Sequence, residues 1–128
     1  FDDLTLADQM IYVARLHGKK EPFHVAQALR ERLDCDELLE RFPRGMSKGQ
    51  RQRAGLLVAM SRPFEVLLLD EPTTGLDERS RRGLIDLLGE LGADGSTILS
   101  STHDTDLLTE ADRVVHVVDG SLDPAVPA

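Results

Sequence analysis

The residues best suited to chemistry are Asp70-Glu71-Pro72, directly after the aliphatic run Val66-Leu67-Leu68-Leu69. Two adjacent carboxylates at the end of an apolar strand suit a hydrated Mg2+ and an attacking water. Mg2+ keeps most of its waters and takes only one or two carboxylates from a protein. Proline disfavours the α region for the residue before it, so Glu71 is expected to leave the strand extended. An acidic pair also closes many ordinary strands, so its companions decide the matter.

Two companions stand out. Ser47-Lys48-Gly49-Gln50 opens a helical stretch, and Ser47 with Gln50 makes an S-x-x-Q capping box of the kind found at many ordinary helices. The same helix start presents unpaired N–H groups and a partial positive charge. A serine hydroxyl and a glycine there allow close approach of a phosphate, so both readings stand. The other companion is Thr102-His103-Asp104, which follows the apolar-polar stretch Thr97 to Ser101. His103 reads either as a helix-start residue or as a functional group on the edge that carries Asp70 and Glu71. The remaining histidines are ordinary by position. His17 and His24 fall near helix ends and read as solvated, and His116 between valines reads as a hydrogen-bonded structural residue.

The elements that must hold these groups follow from periodicity. Val66 to Leu69 are too apolar to alternate between core and solvent, which predicts a parallel strand covered on both faces. Residues 78–91 place Leu84, Leu87, Leu88 and Leu91 on one helical stripe, and residues 97–101 form the next strand. Strand, helix and strand make a βαβ unit, whose parallel strands end on the same edge, where ligands of open α/β sheets bind. Upstream, Thr5 and Asp8 have capping-box spacing for a helix over residues 4–17, with Leu6, Met10, Val13 and Ala14 on one face. Pro22 starts a second helix with the stripe Phe23, Ala26, Leu29 and Leu33, and a short helical piece spans residues 36–42 before the break Pro43-Arg44-Gly45. The helix after Ser47 runs to Arg62, with Ala54, Leu57, Val58 and Ser61 inward, and residues 114–118 form a third strand. The expected organisation is a helical subdomain (1–45), the Ser47-capped helix with the segment that opens it (46–63), an α/β core (64–122) and a flexible Pro/Ala-rich tail (123–128).

Bulk composition narrows the class. At 128 residues the chain is one domain or part of one. A net charge of -8 argues against a nucleic-acid surface, since phosphate contacts need clustered Lys and Arg. Cys35 is the single cysteine, so no internal disulfide forms. No apolar run approaches a membrane span of about 18 residues, so a membrane role needs a partner. The first residue is Phe1 rather than Met, as expected for a processed product or part of a longer polypeptide.

Taken together, these segments resemble the ATP-binding cassette family, in particular the nucleotide-binding domain of ABC transporters. Met46-Ser47-Lys48-Gly49-Gln50 resembles the signature sequence, Val66 to Pro72 the Walker B strand with its catalytic glutamate, Gly75-Leu76-Asp77 the D-loop, and Ser101 to Asp104 the switch-histidine loop. Their order and spacing match the family over nearly the whole chain. The resemblance implies an α/β fold: an incomplete P-loop NTPase-like domain with a helical subdomain followed by a mostly parallel βαβ core. It implies that Asp70 holds Mg2+, and that Glu71 orients or deprotonates the water that attacks the γ-phosphate of ATP. It further implies that His103 senses that phosphate, and that Ser47, Lys48, Gly49 and Gln50 face an ATP held by a second, head-to-tail nucleotide-binding domain. Asp77 then links the two sites. A transmembrane permease partner at the cytoplasmic face of the cell membrane is implied in the same way.

Two departures qualify the match. Lys48 stands where the family most often has glycine, and no G-x-x-x-x-G-K-[ST] P-loop or glutamine loop precedes the helical part. The chain therefore resembles the carboxyl-terminal part of a nucleotide-binding domain, expected to be inactive and prone to self-association alone. Thr73-Thr74-Gly75-Leu76-Asp77 and the lysine-bearing signature lean toward exporter-type systems, on resemblance. The alternatives are a nucleic-acid-associated ATPase of the same superfamily, or a non-catalytic module that offers its signature segment in trans.

Overall fold

A computed structural model describes residues 1–123; of the tail expected to be flexible over 123–128, Asp123 ends a strand and 124–128 lie outside the described residues. Helix α1 (Leu6–Leu16) begins where the sequence places it. The Thr5 hydroxyl accepts the Asp8 N–H at 3.2 Å, and Asp8 reaches back to Thr5. Gly18, at φ +73°, ends its C-terminal turn in the left-handed region that glycine enters freely. Helix α2 (His24–Arg32) follows, burying Val25, Ala26 and Leu29. The expected helical piece over 36–42 is only a 3-10 turn, Asp36–Leu38, and Pro43–Gly45 forms another.

Helix α3 (Lys48–Ala59) and strand β1 (Val66–Asp70) are followed by helix α4 (Glu78–Ala93), strand β2 (Thr97–Ser101) and the short helix α5 (Thr105–Glu110). Strands β1 and β2 pair in parallel, with Val66 opposite Thr97 and Asp70 opposite Ser101. One cluster of buried side chains runs through the helices and the inner face of β1. Leu29, Leu33, Leu38, Leu57 and Leu84 are fully enclosed in it. Leu84, Leu87, Leu88 and Leu91 of α4 are all buried, as their spacing predicts, and Leu56 and Met60 join Ala54 and Leu57 from α3.

Three expectations need correction. Strand β1 is covered on one face only. Leu67 is buried, but Val66 and Leu68 are 54% and 69% exposed, and Leu99 on β2 is 67% exposed. Leu67 belongs to the buried cluster, and Leu69 and Ile98 pack against it on the opposite face. The third strand is shorter than 114–118, and it does not join β1 and β2. Strand β3 (His116–Val118) instead pairs antiparallel with β4 (Ser121–Asp123). Asp119 and Gly120, at φ +50° and +75°, both adopt the left-handed turn geometry that closes a two-residue hairpin. His116, expected to be a hydrogen-bonded structural residue, is exposed on that hairpin.

Cys35 is fully buried, its Sγ directed at the Leu33 carbonyl at 3.5 Å. Burial raises its thiol pKa from 9.0 to about 11, against a partial counter-pull from Arg53. The unfolded chain therefore releases this proton first as pH rises. The contribution to stability is full below pH 9.0 and is lost as pH climbs to about 11. Two pH units correspond to about 2–3 kcal/mol. Urea midpoints of the native chain should fall across that window, and those of Cys35→Ala should fall less; equal slopes would remove Cys35 as the cause.

Candidate functional site

The parallel register is what assembles the site. With Asp70 opposite Ser101, the residues after both strands leave the sheet side by side. The Ser101 hydroxyl donates to Asp70 Oδ1 and accepts the Glu71 N–H at 3.3 Å, while the Ser101 carbonyl accepts the same N–H at 3.0 Å. His103 Nε2 then stands 3.6 Å from Glu71 Oε1, an ion pair whenever the imidazole is protonated. The imidazole is 97% exposed, and Glu71 is 35% exposed. Asp70, Glu71 and His103 are thus one group at one sheet edge.

Glu71 is not extended. Its φ is +44°, in the left-handed region, which costs a non-glycine residue about 1–3 kcal/mol. The proline rule disfavours only the right-handed α region, and tertiary contacts select the left-handed alternative. The N–H is held by Ser101, and the carbonyl accepts the Thr74 N–H at 3.1 Å. The Gln52 amide of α3 donates to the carbonyls of both Glu71 and Pro72 at 3.4 Å. The turn aims the carboxylate out from the sheet edge toward His103.

The second group is the start of α3. Ser47 Oγ accepts the Gln50 N–H at 3.2 Å and the Gln50 side chain accepts the Ser47 N–H at 2.9 Å, so the capping box is complete. Ser47 and Lys48 are exposed, with Gly49 and Gln50 half-buried beside them. A Cβ on Gly49 would lie 2.8 Å from the Gly75 carbonyl oxygen, so the two backbones touch there. Among the described residues, no hydrogen bond or ion pair joins Ser47, Lys48 or Gln50 to Asp70, Glu71 or His103.

That close approach makes a sharp test. Gly49→Ala should destabilise the chain by about 1–3 kcal/mol, because the methyl has no room. Gly55→Ala, in the same helix but in open space, should stabilise it by about 0.8–1 kcal/mol. Urea unfolding of both variants checks the opposite signs.

Asp77 caps α4, accepting the Ser80 N–H at 2.9 Å and the Ser80 hydroxyl at 3.1 Å. The Ser80 N–H above all holds the Asp77 carboxyl below its ordinary range; burial opposes it next, and the Ser80 hydroxyl and Arg53 add to the lowering. Sequence reasoning missed Ser101, Gln52 and Arg81 as working parts of the site. Ser101 carried a signal, since a hydroxyl directly across a parallel pair from an acid will meet it. For Gln52 and Arg81 the partners lie too far along the chain to be read from spacing.

The donor set also tests the fit to Mg2+. Among the described residues no three His, Cys, Asp or Glu side chains gather into a metal cage. Asp70, with the Ser101 hydroxyl beside it, fits the other kind of site, where one carboxylate, waters and substrate phosphates hold Mg2+.

Comparison with known proteins bears on the family and the fold. Residues 20–109 match the family model described as "AAA domain, putative AbiEii toxin, Type IV TA system". The chain is 39% identical over 120 residues to a macrolide export ATP-binding/permease protein MacB of Shewanella sp., covering 92% of this chain and 18% of that protein. It is 32% identical over 121 residues to the protein of the same name from Mannheimia succiniciproducens, covering 93% of this chain and 19% of that one. The chain thus spans about a fifth of the length of these relatives. In structure it is similar to the ATP-binding cassette MJ0796 in a dimeric, post-hydrolysis state bound to ADP and Pi. The TM-score is 0.82 at 21% identity, over 99% of this chain and 58% of that one, which establishes the cassette fold. The chain belongs to the AAA-domain family of that model and is a homologue of ABC transporter ATP-binding proteins.

Proposed function

We propose that the chain is the carboxyl-terminal part of an ABC transporter's nucleotide-binding domain, in which ATP hydrolysis drives transport, of export type. The observation that carries this reading is the single sheet edge bearing Asp70, Glu71 and His103, with 3.6 Å between imidazole and carboxylate. Phosphoryl transfer asks a protein for positioning and charge stabilisation more than for covalent chemistry, and this edge offers both. Glu71 orients the attacking water and accepts its proton. His103 would donate to the γ-phosphate. Asp70 holds Mg2+, which neutralises charge on the phosphates when bound. Ser47, Lys48, Gly49 and Gln50 meet the γ-phosphate of a second, head-to-tail domain's ATP, and Asp77 lies where the two domains join.

In this reading residues 1–45 form the helical subdomain, 46–63 the signature segment and 64–122 the core, with a permease partner at the cytoplasmic face of the membrane. No helix among the described residues is long and apolar enough to cross a membrane. The export-type assignment leans on the names of the macrolide-export relatives. Splitting the phosphate cradle between domains makes hydrolysis depend on their closure, which converts loss of the γ-phosphate into movement.

The sequence contains no P-loop to cradle the phosphates, so the chain alone should neither bind nor hydrolyse ATP. Calorimetric titration with ATP and Mg2+ is expected to give no heat of binding. Joined to the P-loop half of a related cassette, the chain should acquire ATPase activity. Micromolar binding or turnover by the chain alone, or an inert hybrid that binds ATP, would overturn the reading.

A further inference from the structure

The imidazole of His103 is 97% exposed, and its one ion-pair partner among the described residues is Glu71, at 3.6 Å. Its place is therefore set through the backbone on either side. On one side the chain is fixed by the β1–β2 register at Ser101. On the other side the fixed point is Asp104. This carboxylate accepts the Asp106 N–H at 3.0 Å and the Leu107 N–H at 3.4 Å, capping α5, while the Asp104 N–H donates to the Thr102 hydroxyl at 3.0 Å.

Asp104 has a further partner from another element. Arg81, in the first turns of α4, directs Nη1 at both oxygens of Asp104, at 2.9 and 3.1 Å. Its Nη2 reaches Asp106 Oδ2 at 2.6 Å, and its Nε reaches Glu78 Oε2 at 3.1 Å. This pair is unlike the exposed ion pairs elsewhere, such as Arg44 with Asp3. The Arg81 side chain is 21% exposed and the Asp104 side chain 10%. A planar guanidinium that straddles two carboxylates of one loop is a directional clamp, which a point charge cannot replace. Burial opposes ionisation of Asp104, but the Arg81 guanidinium, the Thr73 hydroxyl and the Leu107 and Asp106 N–H groups outweigh it. They hold the carboxyl below its ordinary range.

From this geometry we propose that Arg81 is a positioning residue: by gripping Asp104 it fixes the loop that holds His103 against Glu71. The proposal rests on the reading above that these two side chains act on one phosphate. Arg81 sits four residues after Asp77 on the same helix, so the clamp also ties the start of α4 to the histidine loop.

The test uses the nucleotide-free chain, labelled for NMR, so its outcome is independent of any ATPase activity. In the native chain a nuclear Overhauser contact joins the His103 ring to the Glu71 methylenes. Arg81→Gln should abolish it and raise hydrogen exchange at the Leu107 amide about tenfold, with protection in α1 and α2 unchanged. Asp104→Asn separates pairing from capping, because asparagine caps helices as well as aspartate does but forms no ion pair. It should reproduce the loss, the double variant should add nothing to either single one, and Arg81→Lys should restore part of the contact. Absence of the contact in the native chain, its persistence in Arg81→Gln, or a silent Asp104→Asn would each overturn the proposal. If the ATP-binding hybrid proves inert while these shifts appear, the clamp stands and the hydrolytic reading falls.

Discussion

Glu71→Gln, placed in a cassette assembled from this chain and a P-loop half, is expected to lower kcat for ATP hydrolysis by about 10²–10⁴-fold and to leave ATP binding unchanged. That range is what a positioned general base contributes. The substitution is close to isosteric. It keeps the N–H bond to the Ser101 carbonyl and the bonds from Thr74 and Gln52 to the residue 71 carbonyl, because all of these are made by the backbone. The left-handed turn is therefore retained, and only the proton-accepting carboxylate is lost. An interaction needed only in the transition state should show as equal falls in kcat and kcat/KM, with KM steady. Steady-state turnover and equilibrium ATP binding measure the two halves of the prediction. Turnover at the native rate would remove Glu71 from the role given to it.

The second large effect concerns the bare sheet face. Leu68 and Leu99 are direct partners across the β1–β2 pair, so they project on the same side, with Val66 two residues back. Val115, Val117 and Leu122 of the hairpin region line the same open cleft. Burying one leucine side chain contributes about 1.5–3 kcal/mol, and a two-stranded sheet has unpaired backbone edges as well. An apolar face of this kind, left uncovered, drives association. Light scattering across a wide concentration range should show dimers or larger species for the native chain. The double change Leu68→Lys with Leu99→Lys should return it to a monomer without loss of helical content, because neither side chain belongs to the buried cluster. Fusion to the P-loop half should have the same effect, by covering the face. A native chain that stays monomeric at every concentration would show that this surface tolerates water.

What could be read from the sequence was whatever depends on neighbours within a turn or two. The Thr5–Asp8 and Ser47–Gln50 capping boxes are three-residue devices, and both form. The leucine stripe of α4 obeys helical periodicity because one side of that helix meets the core. The placement of Asp70 and Glu71 beside His103 followed from one rule of βαβ connection. Other features depend on contacts that sequence spacing does not encode. Glu71 takes a left-handed backbone because Ser101 and Gln52 hold it, from 30 and 19 residues away. Arg81 matters through Asp104 and Asp106, which are 23 and 25 residues distant. The four aliphatics of β1 were read as covered on both sides because apolar content reports what a strand needs, and not what the described chain supplies. The hairpin was half legible: Asp119-Gly120 is a turn signal, but three-residue strands carry too short an alternation to announce a partner.

The contact between Gly49 and Gly75 has a mechanical consequence. Where two main chains meet with only hydrogens between them, there is no slack to absorb a sliding motion. The first turn of α3 and the loop that follows Pro72 must travel together, and Gln52 fastens the same helix to the Glu71–Pro72 carbonyls a short way along. A displacement of the exposed serine end of α3 would therefore be passed to the backbone turn that carries Glu71. Two sites that share no ligand would thus be geared to one another by bare backbone.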